Sequence, residues 1–168
     1  MATGDISTKY GTAVAMTITS WSSLATASTL LVGAESAAVT SDAVTATDYL
    51  VSGKIQVGTT PTTAKQIQIW AIGSWDGTIW PDVFAGTDAA RTIVNAEQKQ
   101  GACQGPVFAV AVISTTSNLY YPFGPISIRG VFGGTLPKKW SLFLTHETVA
   151  ALNTGHSVYY QPVYENVA

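Results

Sequence analysis

Side chains branched at Cβ dominate this sequence and limit the secondary structure that it can adopt. Val, Ile and Thr supply 50 of its 168 residues, whereas Glu, Lys, Arg, Gln, Leu and Met together supply 30. A β-branched side chain loses rotamer freedom in a helix but packs well on a pleated sheet. The composition therefore predicts an all-β protein.

The charge pattern excludes several classes of function. Eight Lys and Arg residues against ten Asp and Glu residues give a net charge of -2. Nucleic-acid affinity grows with the number of phosphates neutralised, so a nucleic-acid partner is not expected. The stretch 10–34 carries no charge, but hydroxyl residues interrupt it throughout. It therefore predicts neither a membrane span nor a signal peptide, and we expect synthesis in the cytoplasm.

Alternation of apolar and polar residues places most of the strands. Such runs occupy 14–18, 48–57, 66–72, 126–132, 140–145 and 156–164. The runs 48–57 and 66–72, joined by a loop with Pro61, predict an antiparallel pair. Val107–Ser114 is almost wholly apolar and predicts a central strand covered on both faces. The weakly ordered stretch 73–104 predicts a functional or interface loop with one strand near Arg91–Val94.

Roughly eight to ten short strands separated by turn residues favour a two-sheet antiparallel sandwich of jelly-roll type. An immunoglobulin-like sandwich and a lipocalin-type barrel are the alternatives. Residues 1–12 are polar and predict a flexible N-terminal arm that orders against a neighbour. Residues 13–168 then form a single β-sandwich domain.

The chain offers few groups for catalysis or metal binding. His146-Glu147 begins like a zinc-protease motif, but the residue four positions after the histidine is Ala150. Cys103 lacks the surroundings of a known nucleophile and predicts a buried structural thiol. Asp76, like the other aspartates, stands in turn-like sequence, where a short carboxylate bonds its own backbone. We therefore predict no catalytic residue, no cofactor and no metal.

Four aromatic residues next to Gly or Pro stand in loop-like sequence and are the candidate partner interface: Trp75, Trp80, Tyr120 and Tyr121. A ring partly exposed in a loop can fill a pocket on another protein or stack on a sugar. Packing at the rim of the core is the alternative interpretation.

Several short segments give the chain a family resemblance. They are Ser23–Ala25, the strand entry Thr47–Ile55, the Asp76-Gly77-Thr78 loop, Pro125–Ile128 and the Leu136-Pro137 pair before Trp140. In their order the chain resembles the small virion proteins of tailed bacteriophages. The resemblance implies a jelly roll that decorates or cements the capsid, or a component of the tail or fibre.

The resemblance and the absence of catalytic motifs together predict a capsid decoration (cement) protein located in the virion. Its partners would be the major capsid protein or other virion proteins, and a homotrimer would match a capsid three-fold axis. A tail, baseplate or receptor-binding module with a carbohydrate-binding surface is the alternative. A free carbohydrate-binding module and an enzyme are further alternatives.

Overall fold

The computed structural model describes residues 6–41 and 46–167, which form two antiparallel sheets packed face to face. The sandwich predicted from the sequence is confirmed, and the jelly-roll topology stays a prediction.

Sheet 1 contains five strands in the spatial order β1-β11-β5-β9, with β2 also paired to β11. Their bounds are β1 Ile6–Tyr10, β2 Val14–Ala15, β5 Asp48–Gln56, β9 Tyr120–Ser127 and β11 Ser157–Val167.

Sheet 2 contains six strands in the order β7-β3-β10-β6-β8, with β4 also paired to β10. Their bounds are β3 Val32–Glu35, β4 Val39–Thr40, β6 Gln66–Ser74, β7 Ala89–Thr92, β8 Gly105–Ala111 and β10 Lys139–His146. The helical segments are a 3-10 turn at Thr19–Trp21 and two short α-helices, α1 Ala96–Ala102 and α2 Ile128–Val131.

The main core lies between the sheets and follows from strand alternation. Val51 and Ile55 of β5 face Ile67 and Ile69 of β6, and Trp140 of β10 fills the centre with no exposed surface. Each such side chain contributes about 1.5–3 kcal/mol when it leaves water.

The predicted pairing of the runs 48–57 and 66–72 is wrong. Both runs are strands, β5 and β6, but β5 pairs with β9 and β11, and β6 pairs with β8 and β10. Residues 57–65 therefore connect the two sheets instead of closing a hairpin within one.

Three further expectations need correction. Val107–Ser114 begins within β8 and runs past its end, and β8 is the last strand of sheet 2, so it is an edge strand and not a central one. The run 126–132 is the end of β9 followed by α2. Residues 6–10 of the predicted arm form β1, which pairs in register with β11 and belongs to the sandwich. The start of the predicted arm, residues 1–5, lies outside the described residues.

Candidate functional site

The outer face of sheet 2 is covered by the chain itself. Ile72 and Phe143 point away from the main core and pack with Phe84, Ile93 and Cys103 in a second, smaller core. The cover consists of α1 and of Trp80, Val83 and Phe84 from the segment 75–88, and we call this segment the covering loop.

A buried carboxylate fixes the covering loop to sheet 2. Glu35 of β3 has no exposed surface and accepts hydrogen bonds from the backbone N–H of Ala85 at 3.1 Å and of Gly86 at 2.7 Å. Its other donors are Arg91 Nε at 2.7 Å and Ser141 Oγ at 2.8 Å. All four bonds join segments distant in sequence, so the Glu35 carboxylate stabilises the packing of these segments against β3.

The outer face of sheet 1 differs, because side chains on it remain exposed. Tyr120 of β9 is 43% exposed and Tyr159 of β11 is 44% exposed. Between them, Lys54 of β5 places its Nζ 4.3 Å from the centre of the Tyr120 ring. With the neighbouring Ser52 and Pro122 these residues form a surface that we call the tyrosine face.

Strand register explains why these side chains share one surface. Lys54 pairs with Pro122 on one side, and Ser52 pairs with Tyr159 on the other. Because alternate residues of a strand face opposite sides, Val51 and Ile55 enter the core while Ser52 and Lys54 face outward. In the described part of the chain, no segment packs over this surface as the covering loop does over sheet 2.

The structure separates the four aromatic residues of the predicted interface. Tyr120 lies on the tyrosine face, but Tyr121, its neighbour in β9, is only 6% exposed and belongs to the core. Trp75 is 49% exposed and packs edge-on against Phe132. Trp80 is half-buried against the second core. Tyr121 is therefore not a surface residue, because the segment predicted as a loop is a strand that turns it inward.

Lys54 and Tyr159 were absent from the predicted interface. Alternation in 48–57 already placed Lys54 on the polar face of its strand, and alternation in 156–164 separates Tyr159 from the buried Val158. The signal was thus present for each strand. What the sequence lacked was the pairing that brings β5, β9 and β11 side by side.

Both histidines have structural roles: their rings bond the backbone of residues 21–24, at the end of the 3-10 turn and just after it. His146 Nε2 lies 3.0 Å from the carbonyl oxygen of Leu24, and His156 Nε2 lies 3.1 Å from that of Trp21. The backbone N–H of Gln56 donates to His156 Nδ1 at 3.1 Å, so that ring is neutral. Burial lowers the pKa of both histidines below the ordinary value of 6.5.

Cys103, Asp76 and Glu147 also have structural roles. Burial raises the pKa of Cys103 to about 12, so the thiolate that a nucleophile requires is not formed at neutral pH. Backbone N–H groups of Ile79 and Thr78 bond Asp76 and lower its pKa, as expected of a turn carboxylate. Glu147 lies 3.6 Å from Lys65 in an ion pair. Among residues 6–41 and 46–167, no three His, Cys, Asp or Glu side chains gather as metal ligands would.

No protein-family model, curated protein or solved structure matches the chain. In the described ranges, neither helix is long and apolar enough to cross a membrane.

Proposed function

We propose that this protein is a bacteriophage virion structural protein, a capsid decoration protein that binds the head lattice through the tyrosine face. The observation that carries the proposal is the contrast between the two outer faces of the sandwich. One carries the second core beneath the covering loop and α1, whereas the other exposes Tyr120, Lys54 and Tyr159 and, among the described residues, has no second core.

The chemistry of the tyrosine face suits a protein partner. Tyrosine is enriched at interfaces because its rigid ring buries much apolar area while its hydroxyl can still bond to a partner or to water. The surface around Tyr120 and Tyr159 is built on paired strands, so docking requires little ordering of backbone. Each Å² of apolar surface buried in the contact then contributes about 25 cal/mol to the binding free energy, and the cost of association is subtracted from that sum.

The polar groups of the interior support a binding role over a catalytic one. The Glu35 carboxylate accepts four hydrogen bonds, and both histidine rings bond backbone carbonyl groups of residues 21–24. These groups stabilise the sandwich. The partner that we assign is the major capsid protein, and we assign the protein to the virion. Three copies around a capsid three-fold axis would satisfy the symmetry of both partners.

The test uses phage heads that lack the protein. Purified protein is added to the heads, and the bound fraction is measured by co-sedimentation across a concentration series. We expect saturable binding, and we expect the double substitution Tyr120→Ser, Tyr159→Ser to weaken it by about tenfold or more. Ile79→Ser is the matched control, because Ile79 is 75% exposed and is not a residue of the tyrosine face.

Two results would contradict the proposal. One is failure of the folded protein to bind heads while it is found in isolated tails, which would make it a tail component. The other is binding that Ile79→Ser weakens as strongly as the double tyrosine variant does. Analytical ultracentrifugation of the free protein tests the trimer independently.

A further inference from the structure

A groove on the outer face of sheet 2 has features of a ligand site. It lies between α1 and residues 29–31, has a volume of about 280 Å³, and opens to solvent. Its lining includes Thr29, Leu31, Gln68, Trp70, Lys99 and Gln100. We call it the Trp70 groove.

Trp70 gives the groove an aromatic surface. Its neighbours Ile69 and Ala71 face the main core, so alternation turns the indole outward, where it is half-buried. The indole Nε1–H donates to Gln68 Oε1 at 3.2 Å, which fixes the orientation of the ring. A held indole of this kind packs against the C–H groups of a sugar ring.

A chain of hydrogen bonds positions the polar groups beside the indole. Gln68 Nε2 donates to Gln66 Oε1 at 2.6 Å, and Gln68 Oε1 also accepts from Lys99 Nζ at 2.9 Å. Lys99 Nζ donates a second bond to the carbonyl oxygen of Leu30 at 2.8 Å. The same Nζ lies 5.4 Å from the centre of the Trp70 ring, and the third N–H donor of the ammonium makes no hydrogen bond to the described residues.

The charge of the groove selects the class of ligand. Lys99 carries the one formal charge among the lining residues, and among the described residues no carboxylate pairs with it. Its ammonium is partly withdrawn from water, and this burial lowers the pKa of Lys99. An anion placed beside it would compensate the lost hydration through a charge-assisted hydrogen bond.

We propose that the Trp70 groove binds one ring of a carboxylated sugar, with the C–H face of the ring on Trp70 and the carboxylate at Lys99. Ligand pockets commonly measure about 300–1,000 Å³, so the size of this groove suits a single ring of a longer polysaccharide. The proposal goes beyond head binding and does not rest on it, because the groove and the tyrosine face lie on opposite sides of the sandwich.

The experiment is an NMR titration of the intact protein with glucuronic acid, and with glucose as its neutral counterpart. The chain has five tryptophans, and Trp70→Phe identifies the indole N–H signal of Trp70. We expect millimolar glucuronate to shift this signal in a saturable manner, and glucose to bind about tenfold more weakly.

Three variants test the role of the charge. Lys99→Gln should weaken glucuronate binding by about tenfold. Gln100→Glu, at an exposed position where folding is not at risk, should do the same by repulsion. Lys138→Gln removes an exposed lysine outside the groove and should leave the affinity unchanged. An unmoved Trp70 signal, equal binding of glucose, or equal effects of Gln100→Glu and Lys138→Gln would overturn the proposal.

Discussion

Removing the arginine partner of the buried Glu35 carboxylate should be among the most damaging single changes in this fold. Arg91→Ala deletes the 2.7 Å ion pair to Glu35, and the bond that Arg91 donates to Thr87 Oγ1. The Glu35 side chain has no exposed surface, so water cannot replace the lost donor. Breaking a buried pair in this way costs about 3–5 kcal/mol.

The Lys65–Glu147 pair provides a matched control. Its atoms are 3.6 Å apart and the lysine side chain is 41% exposed, so solvent screens the pair. Lys65→Ala should therefore cost at most about 1 kcal/mol.

Urea unfolding monitored by tryptophan fluorescence measures both changes. With a urea m-value of about 2 kcal/mol per M, a loss of about 4 kcal/mol lowers the midpoint by about 2 M. The double variant Glu35→Gln, Arg91→Ala should lose less than the sum of the single losses, because the uncompensated charge is gone. If Arg91→Ala shifts the midpoint no more than Lys65→Ala does, the assignment of Glu35 as the anchor of the covering loop is refuted.

Three further changes probe other parts of the structure. The pKa values of His146 and His156 are lowered from 6.5 in the folded chain, so the unfolded chain is protonated before the folded chain as the pH falls. The contribution of these residues to the free energy of unfolding is therefore constant above pH 6.5 and declines below it. For two residues the decline is at most about 2.7 kcal/mol per pH unit, and His156→Gln should reduce it in urea titrations at stepped pH; an unchanged slope would contradict this. Cys103 should not react with a thiol reagent at pH 8 until urea unfolds the chain, and rapid labelling of the folded protein would show that its burial is wrong. Gly33→Ala should cost about 3 kcal/mol in the same unfolding assay, because the new Cβ would lie 2.2 Å from the Leu144 carbonyl oxygen. An unchanged stability would show that the backbones of β3 and β10 are not in such close contact at Gly33.

Local alternation predicted the strands of the sandwich better than their arrangement. The runs 48–57 and 66–72 are strands because one face of each enters the core. Nothing in either run encodes whether the loop between them returns to the same sheet or crosses to the other. That choice depends on β9, β10 and β11, which lie far along the chain.

The misread strand at 126–132 shows how a distant contact can override alternation. Ser127 ends β9, and its Oγ accepts from the backbone N–H of Gly130 to start α2. The same hydroxyl donates to Asp48 Oδ2 at 2.6 Å, and Asp48 Oδ1 accepts from the backbone N–H of Arg129. The helix start thus depends on a carboxylate 79 residues away, which a local pattern does not reveal.

The candidate site was predicted in part for the same reason. Tyr120 was named from its loop-like neighbours, but it lies on a strand, and its partners Lys54 and Tyr159 come from two other strands. Local sequence could indicate single exposed aromatic residues. Only the sheet order brings Tyr120, Lys54 and Tyr159 onto one surface.

The two outer faces of the sandwich differ, because the covering loop lies on one side and the tyrosine face on the other. A copy attached to a lattice by its tyrosine face would turn the covering loop and the Trp70 groove toward the medium. Sequence changes in residues 75–88 could then alter what the particle displays to its surroundings while leaving its attachment intact. Attachment and display would be free to evolve separately.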